Sequence, residues 1–206
     1  MKKITMNIII CCFVAAAATA LTVFIGPGKI WGERKPQFAV WVENTDGTFV
    51  KTLYVTKSAS SKGWTFGPDE GRPESLPVWY AAKGQDPAKK LKKNELDVST
   101  GATPKKGTVI KIDSELESGK TYVIKAEFNQ SFDYNETWTK ENSGVNGQPS
   151  VIYTGLITPD GSEQEVTLTF AGTGSVDGSD GMIHTEFSDK ITTAKNIIDR
   201  IYFSVK

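Results

Sequence analysis

The sequence predicts an all-β domain, an antiparallel β-sandwich, preceded by a hydrophobic N-terminal helix. Three observations predict this class: segments of β-branched and aromatic residues recur along the chain, turn signals separate them, and helical periodicity is thin. About 170 residues follow Pro36, which is enough for one domain with a substantial core. We therefore divide the chain into a signal peptide or membrane anchor (1–30), a linker (31–36) and a β-sandwich domain (37–206).

The N-terminal segment has the features of an export signal. Met1-Lys2-Lys3 is basic, and residues 8–25 form an apolar run without a charge. Ala18-Thr19-Ala20 is a small-residue cleavage site of the secretory kind. The apolar run continues beyond this site, however, and its 18 residues are about long enough to cross a bilayer as a helix. Cleaved signal peptide and retained anchor (4–25) both remain open, and either one makes the domain extracytoplasmic.

The strand pattern is clearest where apolar and polar residues alternate. Tyr122 and Ile124 alternate with Val123 and Lys125, which predicts one buried and one wet face. Asp46-Gly47 supplies the positive-φ positions of a tight hairpin. Seven or eight strands at this spacing favour an immunoglobulin-like sandwich. The strand candidates are residues 38–42, 49–55, 76–82, 108–112, 122–128, 151–157, 166–170 and 200–205, and the short helical candidates are residues 86–91 and 192–198.

Composition excludes several classes of function. Both cysteines, Cys11 and Cys12, lie in the apolar run, so the exported body has no disulfide and no thiol nucleophile. The chain has 24 basic and 24 acidic residues; three of the basic ones lie in residues 1–30, which leaves 21 basic and 24 acidic residues and a net charge of −3. A nearly neutral surface predicts no binding of nucleic acid.

No residue pattern predicts an autonomous catalytic centre or a metal site. His184 is the only histidine, and no spacing pairs it with Asp180 or Glu186, so we expect it alone on the solvent side. The acidic, glycine-rich segment 177–181 lacks the spacing of a calcium loop and is expected to be a turn.

One heptapeptide carries a specific functional hint. Asp97-Val98-Ser99-Thr100-Gly101-Ala102-Thr103 resembles the acceptor motif of exported flavoproteins, in which a flavin transferase attaches FMN as a phosphoester to the last threonine. The resemblance implies Thr103 as the attachment point, with Asp97, Thr100, Gly101 and Ala102 as the other motif positions. Gly101 and Ala102 are small enough to let a flavin approach the backbone. The alternative is an ordinary inter-strand loop without a cofactor.

A second resemblance covers most of the body. Residues 36–43, 49–56, 72–79 and 144–153 are similar to an uncharacterised family of predicted periplasmic bacterial proteins, over about residues 36–205. Residues 39–56 also resemble the first hairpin of a flagellar hook-capping immunoglobulin-like domain, which implies a fold rather than a flagellar role. The periplasmic family implies association with membrane redox modules.

Two functional hypotheses follow. In the first, the domain is a cofactor-free binding or structural module that docks a cell-envelope protein through its sheet edges and the long connection at residues 129–149. In the second, it is an extracytoplasmic redox accessory or electron carrier with FMN on Thr103, served by a membrane redox module and a flavin transferase. In both, membrane contact is confined to the N-terminal segment.

Overall fold

The computed structural model describes residues 19–60, 71–84, 100–101, 108–114 and 116–205. Within these residues the chain forms ten strands, two short α-helices and one 3-10 helix. The strands are β1 (Thr19–Pro27), β2 (Gln37–Asn44), β3 (Phe49–Thr56), β4 (Thr100–Gly101), β5 (Thr108–Ser114), β6 (Tyr122–Asn129), β7 (Val151–Ile157), β8 (Gln164–Thr167), β9 (Thr169–Thr173) and β10 (Ile198–Val205). The helices are α1 (Pro77–Ala82) and α2 (Lys140–Ser143), and the 3-10 helix is Thr193–Asn196.

The strands form two sheets. The four-stranded sheet has the order β5-β1-β10-β8, and all its pairs are antiparallel. The six-stranded sheet has the order β4-β3-β2-β6-β7-β9, with β3 and β4 as its one parallel pair among the described strands. β8 and β9 lie in different sheets, so the chain passes from one sheet to the other at Leu168. The predicted mostly β, mostly antiparallel architecture is confirmed.

The main core lies between the two sheets. Alternate residues of β2, among them Phe38 and Val40, point into it and are fully buried. Phe38 stacks on Phe128 of the neighbouring β6, with 5.3 Å between the ring centroids. From the other sheet, Val23 and Phe203 close the same cluster. Face-to-face packing of two sheets through alternate residues is the arrangement of a sandwich.

The first strand differs from the sequence-based expectation. The predicted signal or anchor helix extends through Ile25, but Thr19–Pro27 form β1, which pairs with β5 on one side and β10 on the other. Leu21, Val23 and Ile25 are at most 3% exposed. The helical prediction is therefore wrong for residues 19–25, because alternate residues here are buried in a sheet. The rest of the predicted segment, residues 1–18, lies outside the described residues.

A second layer covers the opposite face of the six-stranded sheet. It contains α1, which packs Val78 and Trp79 against Trp41 and Ile152 of the sheet. The prediction of a strand at residues 76–82 is wrong: the segment forms a helix that begins at Pro77, whose fixed φ suits the first helical position. A short apolar run fits a buried helix as well as a strand.

The helical content of the described residues is limited to short elements. None of these helices has the length and apolar character needed to cross a membrane. The predicted turn at residues 192–198 is confirmed as the 3-10 helix that leads into β10. The helical candidate at residues 86–91 lies outside the described residues.

Candidate docking site

The connection between β6 and β7 forms a compact excursion at one end of the sandwich. It contains α2, whose first turn is closed by a hydrogen bond from the Thr139 backbone N–H to the Asn142 side chain at 2.8 Å. Tyr134 also ties this segment to itself, since its hydroxyl donates to the Gly144 carbonyl at 2.7 Å. The long connection predicted from sequence is therefore a structured loop rather than a loose one.

Phe132 is the unusual residue of this loop. Its φ is +63°, and it is the one non-glycine residue with positive φ among the residues that the structure describes. Its side chain is 48% exposed. A bulky residue in the left-handed region costs about 1–3 kcal/mol and persists only where the surroundings hold it. The fold therefore holds an exposed aromatic ring in an unfavourable backbone conformation.

Arg34 holds Phe132 from the segment that precedes β2. Its guanidinium donates to the Phe132 carbonyl at 2.6 Å and to the Ser131 carbonyl at 3.1 Å. It also lies 5.5 Å from the centroid of the Phe132 ring, within range of a cation–π interaction. The Phe132 N–H donates to the carbonyl of Val145, itself 49% exposed, at 2.8 Å. We call Phe132, Tyr134, Val145 and Arg34 the Phe132 surface.

Asn146 fastens the loop to the rest of the domain through side-chain hydrogen bonds. Its side chain is buried and donates to the carbonyls of Glu74 and Val176, at 2.9 Å and 3.2 Å. Its Oδ1 accepts from the Arg72 guanidinium at 3.0 Å and from the Ser75 hydroxyl at 3.2 Å. One side chain thus joins the loop to the segment before α1 and to the segment after β9.

A second anchor joins the loop to the start of the 3-10 helix that precedes β10. The Thr193 hydroxyl donates to the Asp133 carboxylate, and Gln148 accepts the Thr192 backbone N–H at 2.7 Å. Burial raises the pKa of Asp133, while hydrogen bonds from Thr193 and Gln148 act in the opposite direction. Hydrogen bonds at Asn146 and at the Asp133–Gln148 pair therefore hold the loop that carries the Phe132 surface in place.

A buried carboxylate lies on the sheet face covered by α1. Glu127 is fully buried and accepts hydrogen bonds from the N–H groups of Val78 and Trp79, at 3.3 Å and 2.7 Å, and from the Ser150 hydroxyl at 2.6 Å. Burial raises its pKa to about 7 against the effect of these hydrogen bonds. Glu127 thus satisfies the free N–H groups of the first turn of α1, which is a structural role.

An open cavity of about 390 Å³ lies beside α1, over the same sheet face. Its polar lining is an ion pair, Lys125 Nζ to Glu43 Oε2 at 2.7 Å, and the other oxygen of Glu43 accepts from the Trp41 indole at 2.6 Å. The remaining lining is aliphatic or glycine, including Val78 and Gly181. Because Glu43 and Lys125 satisfy each other, the cavity presents no obvious group for chemistry.

His184 does not stand alone as the sequence predicts. Its Nδ1 lies 2.9 Å from Glu186, and its Nε2 lies 3.0 Å from Asp180. Burial lowers the pKa of His184, but the hydrogen bonds to these two carboxylates outweigh it, and the net pKa is raised. The expectation of an isolated, solvent-side histidine is wrong, because the irregular chain between Asp180 and Glu186 brings both carboxylates to the ring. Both ring nitrogens are engaged, so when His184 is protonated it forms ion pairs with Asp180 and Glu186.

The acidic turn at residues 177–181 uses its carboxylates locally. Asp177 accepts the Ser179 N–H and Asp180 accepts the Met182 N–H, each at 2.9 Å. These are turns closed by aspartate side chains. Among the described ranges, no group of three or more histidine, cysteine or acidic side chains is placed to hold a metal ion.

The flavin-acceptor motif falls mostly outside the described residues. Thr100 and Gly101 form β4, which pairs with Val55 and Thr56 at the edge of the six-stranded sheet. Asp97, Ala102 and Thr103 lie outside the described residues, so the assignment of the motif stays a prediction.

Sequence reasoning missed the residues that build the loop. Arg34 lies in the predicted linker, and its partner Phe132 is 98 positions away. Asn146 was part of the predicted loop, but its four partners come from distant segments. One signal was present: the loop segment before α2, residues 129–138, is dense in asparagine, glutamine and aromatic residues.

Residues 28–145 match the model of a family described as a predicted periplasmic protein, DUF2271. Searches of curated proteins and of solved structures found no match to the chain.

Proposed function

Because the chain belongs to the predicted periplasmic protein family DUF2271 and is extracytoplasmic, we propose that it is a docking module that binds a protein of the cell envelope. The contact is made by the Phe132 surface. The observation that carries this proposal is the exposed Phe132 ring on a positive-φ backbone. Backbone strain that the surroundings maintain is concentrated at functional sites.

The composition of the Phe132 surface fits a protein partner. Aromatic and arginine side chains are enriched in protein–protein interfaces and contribute most of the binding free energy. The surface combines two aromatic rings, an aliphatic side chain and Arg34, and its loop is held in place before binding. A rigid loop loses little conformational entropy when a partner docks.

The substitution Phe132→Asn separates binding from stability. Asparagine adopts the left-handed region more readily than phenylalanine, so we expect the free energy of unfolding to stay within about 1 kcal/mol of the original value. Binding is expected to fall at least about tenfold, since a central aromatic contributes about 2 kcal/mol or more. Thermal unfolding measures the first effect. Pull-down with a tagged domain, followed by titration of the captured protein, measures the second.

Leu156→Thr is the matched control. Leu156 is also an exposed apolar residue, at 61%, but it lies on β7 at the end that pairs with Val123. Threonine retains the preference for a strand, and binding should not change. A photo-reactive residue at position 145 should cross-link the partner in cells; a product with twice the mass of the chain would identify a second copy instead. Equal binding by the Phe132→Asn protein would refute the proposal.

The sandwich itself is proposed to be immunoglobulin-like. Two packed, mostly antiparallel sheets and the crossing between them at Leu168 support this class. Such sandwiches present their loops at the ends of the sheets, as the β6–β7 loop is presented here.

An alternative function is a redox carrier with FMN attached at Thr103. Its support is the position of Thr100 and Gly101 in an edge strand, where a transferase can approach the chain. The flavin would supply one-electron chemistry, and the chain would supply the hydroxyl of Thr103, two positions after the end of β4.

Co-expression with a flavin transferase in the periplasm tests this alternative. If it holds, the intact mass increases by one attached FMN, in-gel flavin fluorescence appears, and both are lost in the Thr103→Ala protein but not in the Ser99→Ala protein. An unmodified mass beside a positive-control flavoprotein in the same cells rules it out.

A further inference from the structure

The apolar residues 21–25 fit two structures, a membrane span and the strand β1, that cannot form at the same time. They complete the one apolar run in the sequence long enough to span a membrane, and they also form the middle of β1. We propose that hydrolysis of the Ala20–Leu21 peptide bond during export releases this segment from the membrane and lets it complete the four-stranded sheet. Processing would thus be the step that permits the domain to fold.

The folded domain depends on this segment. β1 lies between β5 and β10, with Leu21 opposite Val205 and Ile25 opposite Ile201. The Phe24 ring stacks on that of Tyr202, with 4.6 Å between the centroids and 6° between the planes. Without β1 the two neighbouring strands would have no partner between them, and the sheet would be divided.

The membrane needs the same residues. A helix that crosses a bilayer takes about 20 apolar residues, with a lower limit of about 17. Residues 4–25 number 22 and exceed this limit, whereas residues 4–20 number 17, only the lower limit and with the polar Asn7 among them. The apolar run proper, residues 8–20, numbers 13. A run of about 7–15 apolar residues is instead the length of a signal-peptide core. A chain that keeps residues 1–20 therefore draws residues 21–25 into the membrane, away from the sheet.

The position of the proposed bond agrees with the pairing of β1. Ala18-Thr19-Ala20 places small residues where a signal peptidase requires them. Pairing of β1 with β10 begins at Leu21, directly after this site. A water molecule adds across the bond, giving a carboxylate on Ala20 and an ammonium group on Leu21. Cleavage here removes only Thr19 and Ala20 from β1, which pair with β5 alone.

An uncleavable chain tests the competition. Replacing Ala17, Ala18 and Ala20 by phenylalanine removes the small residues, and mass spectrometry verifies that residues 1–20 are retained. In spheroplasts, we expect this chain to stay with the membrane and to be digested by added protease at least about tenfold faster than the processed chain, since digestion follows the population of the open form. The mass of the processed chain should give Leu21 as its first residue.

A second variant isolates the cause. Seven leucines and a Gly/Ser spacer, inserted between position 20 and Leu21 of the uncleavable chain, give the membrane its own span. Protease resistance should then return without cleavage, because Leu21 is free to enter the sheet. The proposal is overturned if the uncleavable chain is as resistant as the processed one, if the spacer fails to restore resistance, or if the processed chain begins after Leu21.

Discussion

A chain that begins at Gly28 is expected not to fold, whereas a chain that begins at Leu21 folds cooperatively. The shorter chain lacks Leu21, Val23 and Ile25, three side chains that are at most 3% exposed. Burial of each such side chain contributes about 1.5–3 kcal/mol. Their sum approaches the whole free energy of unfolding of an ordinary domain, about 5–15 kcal/mol. The loss of β1 also leaves β5 and β10 without the strand between them.

Circular dichroism and the dispersion of amide proton signals measure this difference directly. A pair of point substitutions serves as the control within β1. Val23→Asp places a charge in the core and should also prevent folding, while Thr22→Asp, on the half-buried face, should fold. A cooperative transition in the chain that begins at Gly28 would show that β1 is dispensable.

The substitution Glu127→Ala is expected to lower the free energy of unfolding by about 3–5 kcal/mol. It leaves the N–H groups of Val78 and Trp79 buried without an acceptor, at about 1–3 kcal/mol each, and leaves a cavity beside them. Urea titration at pH 7 measures the change. Glu165→Ala is the control, because Glu165 is exposed on β8. A change below about 1 kcal/mol for Glu127→Ala would mean that α1 does not depend on this carboxylate.

The same residue predicts a dependence of stability on pH. Its pKa is raised from 4.5 to about 7 in the folded state, so the folded chain binds the proton more tightly than the unfolded one. The contribution of Glu127 to stability is therefore greatest below pH 4.5 and declines as the pH rises to about 7. In Glu127→Gln this decline should be absent, which a comparison of unfolding free energies at several pH values detects.

The sequence predicts a strand most clearly where apolar residues line one of its faces. Tyr122 and Ile124 alternate with Val123 and Lys125, and the strand is present as β6. It did not predict that the second face is also buried, since α1 covers Glu127. Nor did it separate a strand from a helix at Pro77, where a short apolar run is compatible with both. In β1 the β-branched Val23 and Ile25 were a sign of a strand, but the adjoining apolar residues hid it.

The candidate docking site could be predicted only as a region. A long polar and aromatic connection marked the loop, but the conformation of Phe132 depends on contacts that sequence spacing does not show. Arg34 and Asn146 act across large separations in the chain, 98 positions for Arg34 and Phe132 and 71 for Asn146 and Ser75. Such contacts follow from the fold as a whole, so local patterns carry no signal for them.

The antiparallel pairing of β1 with β10 places the start of β1 and the end of β10 side by side at one end of the sandwich. Leu21 lies opposite Val205, and Pro27 lies opposite Ile198 at the other end of the pair, about 20 Å away along the strand. The Phe132 loop is fastened to Thr193, next to the Ile198 end. The two ends of the described chain, Thr19 and Val205, therefore lie at the end of the sandwich opposite the Phe132 surface. A label, a solid support or a lipid tether joined next to Leu21 or Val205 would hold that surface outward.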